Sequence, residues 1–141
     1  MTDPVQLTEE QAQALAARAI DARQWSYSPY SRYAVGAALL TSSGKVYDGT
    51  NVENAAYPDT ICAERVAAVK AVSEGEREFV AMAVVTENGG MPCGSCRQFL
   101  SEFGLDAIVL VANLAGEIVK RATVRELLPN AFGPAQLGST D

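Results

Sequence analysis

Apolar positions recur along this chain with two different periods. Ala12, Leu15, Ala16, Ala19 and Ile20 follow helical spacing, and Thr8 with Gln11 forms a capping-box pattern just ahead of them. After a loop over Ser26 to Ser31, with Pro29 in its middle, Ala34 to Thr41 reads as a strand. Ser42, Ser43 and Gly44 make a turn, and Lys45 to Val52 returns as a second strand, so the pair predicts an antiparallel hairpin. A helix follows from Cys62 to Ser73, closed by Gly75. Phe79 to Thr86 is almost continuously apolar, as in a strand buried on both faces. Beyond a Gly-rich loop at Asn88 to Pro92, Gly94 to Phe103 reads as a short helix that stops at Gly104. Ala107 to Ala112 is another buried-type strand, Asn113 to Gly116 a hairpin connection, and Glu117 to Arg121 a fifth strand. Thr123 with Glu126 repeats the capping-box pattern and opens a short helix that Pro129 ends. The tail after Gly133 is expected to be loose or laid on the surface.

The order α-β-β-α-β-α-β-β-α predicts a three-layer α/β/α sandwich around a mixed five-stranded sheet. The two helices between buried strands act as right-handed crossovers that make parallel neighbours. The 141 residues suit a single domain, 1–141, without repeats or linkers.

Composition narrows the function. A content of 48% hydrophobic and 20% charged residues is that of a globular protein. The formal net charge of −6 argues against a partner that offers phosphates, so no nucleic acid is expected. No apolar run approaches the roughly 18 residues of a membrane span, and Met1 to Glu10 lacks the pattern of a signal peptide. A cytoplasmic location is expected, without membrane partners. Three cysteines are an odd number for a disulfide framework, and there is no histidine. Any zinc site must therefore be built from thiolates or carboxylates.

The chemistry concentrates in Cys62-Ala63-Glu64 and Pro92-Cys93-Gly94-Ser95-Cys96. A Cys-x-x-Cys pair alone suits either zinc or a redox dithiol. The third cysteine favours zinc. All three lie at predicted helix starts, where free N–H groups and partial positive charge favour thiolates. Three protein ligands leave a fourth position open for water, the arrangement of a catalytic zinc. Glu64 is then the natural proton carrier. Three thiolates leave the site negative, and Arg65 is placed to offset that by hydrogen-bonding ligand sulfurs. Asn51-Val52-Glu53-Asn54 closes the second strand, with Asn51 and Glu53 on one face. An amide beside a carboxylate suits a hydroxyl group and repels a phosphate, which points to a nucleoside rather than a nucleotide.

At this point the sequence resembles the small zinc-dependent cytidine deaminases of the homotetrameric type, over about Tyr27 to Phe132. The resemblance rests on Tyr30-Ser31-Arg32-Tyr33 before Val35-Gly36-Ala37-Ala38-Leu39, then Asn51-Val52-Glu53-Asn54-Ala55, Cys62-Ala63-Glu64-Arg65 and Pro92-Cys93-Gly94-Ser95-Cys96-Arg97-Gln98. Leu127-Leu128-Pro129 with Ala131-Phe132 completes it. His/Cys-x-Glu followed by Pro-Cys-x-x-Cys is the zinc-deaminase signature, here in all-cysteine form. The resemblance implies hydrolysis of cytidine or 2′-deoxycytidine to the uridine and ammonia, as in pyrimidine salvage. It implies one Zn²⁺ per chain on Cys62, Cys93 and Cys96, with Glu64 shuttling protons. Asn51 and Glu53 would hold the ribose 3′-hydroxyl, and the Ala63 backbone would contact the pyrimidine. Position 33, commonly Phe in the family, is Tyr33 here; it should still stack on the base but places a hydroxyl somewhere polar. Phe132 would reach the active site of a neighbouring subunit in a homotetramer, with Tyr57 at the shared boundary. No chemistry is assigned to Tyr57 to Thr60.

Rival readings make different demands. A redox dithiol needs no metal, and a zinc-stabilised binding module needs a fourth protein ligand. A polynucleotide deaminase needs salt-sensitive binding that the acidic charge opposes. A deaminase of free bases does not need Asn51 and Glu53. A blasticidin S deaminase shares the zinc motifs but lacks the Asn-x-Glu-Asn-Ala segment.

Overall fold

In a computed structural model the protein is described over residues 7–138. Residues 1–6, part of the stretch read for a signal peptide, and 139–141, the end of the tail, lie outside that range.

Helix α1 (Glu9–Arg23) starts as its capping box requires. Thr8 Oγ1 accepts from Gln11 N–H at 3.0 Å, and Gln11 Oε1 accepts from Thr8 N–H at 2.9 Å. Glu9 and Glu10 lie at its positive end and Arg23 in its last turn, both favourable to the helix dipole. Its buried face is mostly alanine (Ala12, Ala16, Ala19 and Ala22, with Leu15), so the helix axis lies close to the sheet. Gly36 completes that approach: a Cβ there would stand 2.0 Å from the Ala19 carbonyl oxygen.

The sheet comprises β1 (Gly36–Thr41), β2 (Val46–Thr50), β3 (Phe79–Val85), β4 (Ile108–Ala112) and β5 (Ile118–Thr123), in the order β2-β1-β3-β4-β5. The β1–β2 hairpin aligns Leu39 with Tyr47, and Gly44 supplies the positive φ of its turn. β1 also pairs antiparallel with β3, β3 parallel with β4, and β4 antiparallel with β5. The crossover expectation is corrected in one respect. The helix between β3 and β4 does join parallel neighbours. The one between β2 and β3 joins strands that run the same way with β1 between them, because the hairpin has already placed β1 inside the sheet.

Helices α2 (Ala63–Ser73) and α3 (Gly94–Phe103), with the short α4 (Val124–Leu127), cover the face opposite α1. Side chains alternate accordingly. Ala38, Leu40, Ala81, Ala83, Val85 and Leu110 pack beneath α1, whereas Leu39, Met82, Val84, Val109 and Val111 pack beneath α2 and α3. Both faces of the central strands are thus dry, which accounts for their unbroken apolar runs. β5 is an edge, largely exposed and carrying Lys120 and Arg121, charges that discourage edge-to-edge pairing.

Among the described residues, two 3₁₀ turns carry no periodic signal, Tyr57–Asp59 and Pro134–Leu137, each with proline in its first positions. The second lies in the tail, whose described part is exposed on the surface. The segments ahead of α2 and α3 both leave the carboxyl ends of same-direction strands, β2 and β3. The two helices therefore begin at the same edge of the sheet.

Candidate active site

Cys62 is the N-cap of α2 and Cys93 the N-cap of α3, both in extended backbone geometry; Cys96 lies in the first turn of α3. The sulfurs of Cys62 and Cys93 are 3.9 Å apart and those of Cys93 and Cys96 3.5 Å apart, with all three inside 4.8 Å of one another. A tetrahedral zinc with bonds of about 2.3 Å spaces its sulfurs by about 3.8 Å. The three thiols therefore fit three corners of such a site, and among the described residues no fourth His, Cys, Asp or Glu joins them.

The cluster is already polarised. Hydrogen bonding from the Cys96 thiol, opposed by burial and reinforced by Arg65, holds Cys62 well below the ordinary thiol range; the same bond, with burial, pushes Cys96 up. These opposite shifts are two halves of one interaction, with the negative charge resting on Cys62. Arg65 Nη2 stands 3.8 Å from Cys62 Sγ and 3.5 Å from the Thr60 carbonyl oxygen, while its Nε is buried without an acceptor among the described residues.

Glu64 is the second residue of α2 and only 5% exposed. Burial, with the nearby Cys62 sulfur, raises its carboxyl to about 7. A carboxyl poised near neutrality suits proton transfer in both directions. Its placement depends on Gly49 of β2, where a Cβ would lie 2.6 Å from the Ala63 carbonyl oxygen and 2.6 Å from the Ala67 nitrogen. The bare glycine lets the first turn of α2 rest directly on the strand.

Beside the sulfurs opens a cavity of about 430 Å³. Cys62, Cys93, Ala63 and Glu64 form one part of its wall, and Tyr33, Asn51 and Glu53 another. Asn51 and Glu53 lie just past the end of β2, where Val52 bridges Tyr27 and Ile61. Asn51 is largely committed to the chain. Its Oδ1 accepts from Ser26 Oγ at 2.5 Å and from Val35 N–H at 3.1 Å, and its Nδ2 donates to the Tyr33 carbonyl at 2.8 Å, leaving one amide hydrogen free among the described residues. Glu53 Oε1 accepts from the backbone N–H groups of Tyr30 (2.9 Å) and Ser31 (3.1 Å), and its Oε2 from the Ser31 hydroxyl. The Ser31 hydroxyl above all holds this carboxyl below the usual carboxylate range. One acceptor site of the carboxylate is left for another hydroxyl.

Ser31, Thr60, Thr86 and Gly90 also line the cavity. Thr60 belongs to a segment to which the sequence assigned no chemistry, and no spacing marks any of the four. Arg97 directly follows Cys96 in sequence, with nothing in its spacing to mark a role. Its Nε donates to the Pro92 carbonyl at 2.8 Å and its Nη1 to the Leu127 carbonyl at 3.0 Å, so it braces the residue before Cys93. Gln98 holds the Phe132 carbonyl at 2.9 Å. The Phe132 side chain is 56% exposed and outside this cavity, and Tyr57, 71% exposed, packs edge-on against Tyr30.

Residues 9–112 match the family described as the cytidine and deoxycytidylate deaminase zinc-binding region. The cytidine deaminase of Halalkalibacterium halodurans is 52% identical over 123 residues, spanning 85% of this chain and 92% of that protein. The cytidine deaminase of Sporosarcina psychrophila is 48% identical over 126 residues, spanning 87% and 92%. Among solved structures, the cytidine deaminase of Burkholderia pseudomallei superposes with a TM-score of 0.81 at 44% identity, covering 89% of this chain and 99% of that one. That of Mycobacterium tuberculosis gives 0.76 at 40% identity, covering 85% and 95%. Sheet order, the three gathered thiols and these likenesses agree: the chain belongs to the zinc-binding cytidine and deoxycytidylate deaminase family.

Proposed function

We propose that this protein hydrolyses cytidine and 2′-deoxycytidine to the corresponding uridine and ammonia, serving pyrimidine salvage, with one zinc per chain on Cys62, Cys93 and Cys96. The observation that carries this reading is the buried Glu64, which shares one cavity with two of the thiols while Asn51 and Glu53 form part of the same wall.

A zinc ion on the three thiolates supplies Lewis-acid activation of water. Glu64 takes a proton from the attacking water and delivers it to N3 of the pyrimidine, as the new bond forms at C4. Glu64 then takes the remaining proton of that water from the new C4 hydroxyl and carries it to the exocyclic amino group; the C4–N bond breaks, ammonia departs and the C4 carbonyl is left. The free amide hydrogen of Asn51 and the open acceptor site of Glu53 suit a ribose hydroxyl, one donating and the other accepting. The Tyr33 ring packs against the base, and the Ala63 backbone contacts its edge. Arg65 tempers the charge of the thiolates.

The exposed Phe132 and Tyr57 support a homotetramer in which neighbouring subunits complete each other's sites. Among the described residues no helix is long and apolar enough to cross a membrane. The free cysteines suit the reducing cytoplasm.

The test is incubation of zinc-quantified protein with each nucleoside. Stoichiometric uridine and ammonia are expected, with turnover falling about 10²–10⁴-fold in Glu64→Gln as general acid–base transfer is lost. Glu53→Ala should raise KM strongly. No ammonia from zinc-loaded protein, or wild-type turnover in Glu64→Gln, would overturn the reading. Unchanged kinetics in Glu53→Ala would move the substrate to a free base.

A further inference from the structure

Tyr33 is held at both ends. Its backbone is fixed by Ser31 Oγ, which accepts from its N–H at 3.0 Å, and by Asn51, which donates to its carbonyl. Its hydroxyl crosses to the loop between β3 and α3 and donates to Asn88 Oδ1 at 2.5 Å, joining segments 55 residues apart. Thr86 Oγ1 approaches the same oxygen at 3.4 Å and accepts from Gly90 N–H at 2.9 Å. Gly90 is the counterpart of this bond. A Cβ built there would stand 2.7 Å from the Tyr33 hydroxyl, closer than real contacts allow. Gly90 is not among the glycines with positive φ, so backbone conformation does not require glycine there; space for the hydroxyl does.

We propose that Asn88 and Gly90 are positioning residues that act through Tyr33. Asn88 anchors the hydroxyl and Gly90 makes room for it, and together they fix where the ring stands in the cavity, and so the width of the slot that receives the pyrimidine. The proposal rests on the nucleoside reading above for its substrate. The tie between the two loops is a property of the free protein. Because the ring's place is set before the ligand arrives, the contribution falls on binding more than on the chemical step.

The experiment combines steady-state kinetics on cytidine with amide hydrogen exchange of residues 87–91 in zinc-loaded, substrate-free protein. Asn88→Ala and Tyr33→Phe should each raise KM about 2- to 10-fold, the worth of one neutral hydrogen bond, with a smaller change in kcat. Exchange in the loop should accelerate, with zinc content kept. The double variant should be no worse than either single one, since both remove the same bond. Asn88→Asp retains an acceptor and should recover most of the lost affinity. Gly90→Ala should raise KM in the parent but do far less harm when combined with Tyr33→Phe, which vacates the space. Independent, multiplying effects of Asn88→Ala and Tyr33→Phe would overturn the proposal, as would equal damage by Gly90→Ala in both backgrounds. If the parent turns over no cytidine, the functional reading fails. Loop exchange then decides the tie alone, and rates unchanged by Asn88→Ala and Tyr33→Phe would sink it.

Discussion

Arg97 offers the sharpest test of how the fold holds the zinc ligands. Its guanidinium donates to two backbone carbonyls, Pro92 at 2.8 Å and Leu127 at 3.0 Å, tying the buried residue before Cys93 to the end of α4. Hydrogen bonds from a charged donor are worth about 1.5–3 kcal/mol each. Arg97 and Leu127 are only half-buried, so solvent recovers part of that, and Arg97→Ala should cost about 3 kcal/mol. For a chain of this length the loss corresponds to about 10 °C in melting temperature. The metal should feel it too, because the carbonyl released belongs to the residue that leads into a ligand. Removing supports of this kind typically weakens metal binding about 10- to 100-fold. Competition against a calibrated chelator reads the affinity, and melting with and without zinc reads the fold. Arg97→Lys, which keeps the charge but not the planar fork, should fall between the two. If Arg97→Ala bound zinc as the parent does and melted within about 2 °C of it, the bracing role would be wrong.

Two further outcomes follow from packing and charge. Gly36→Ala places a Cβ 2.0 Å from the Ala19 carbonyl oxygen and should cost about 3 kcal/mol or more by denaturant titration, because α1 must lift off the sheet. Gly94→Ala, with nothing within 4 Å of its Cβ, should stay within about 1 kcal/mol of the parent. Burial raises the Asp48 carboxyl, but hydrogen bonds and charge from Arg18 and Lys70 outweigh it and hold the group below its usual range. A depressed carboxylate contributes stability above its unfolded value of about 4 and loses it as pH falls through the folded value. Asp48→Asn should therefore be less stable than the parent near neutrality, and the gap should close in acid, as pH-dependent melting will show.

The elements whose apolar runs are long were legible in the sequence. β3 and β4 are buried on both faces, so period and composition agree, and both capping boxes form as written. The neighbour of β3 was not legible. The crossover rule fixes direction and hand, but whether a strand already lies between depends on the hairpin's place in the sheet. The cluster of Cys62, Cys93 and Cys96 was readable because their spacing is coupled to two helix starts. Asn51 was found for its face of the strand, but not its engagement with Ser26, Val35 and Tyr33, which lie 16 to 25 residues away. The same limit hid Asn88, whose partner is 55 residues distant. A bond that spans two loops leaves no periodic trace.

Cys62 and Cys93 are separated by 31 positions yet their sulfurs are 3.9 Å apart. An ion gripping both turns the intervening chain, which carries α2 and β3, into a closed ring. By the chain-entropy argument used for covalent bridges, closing a ring of that size removes about 3–4 kcal/mol of freedom from the unfolded state. A metal held there would thus be a removable staple as well as a reagent. A chain without it would lose the reagent and part of its folding stability together.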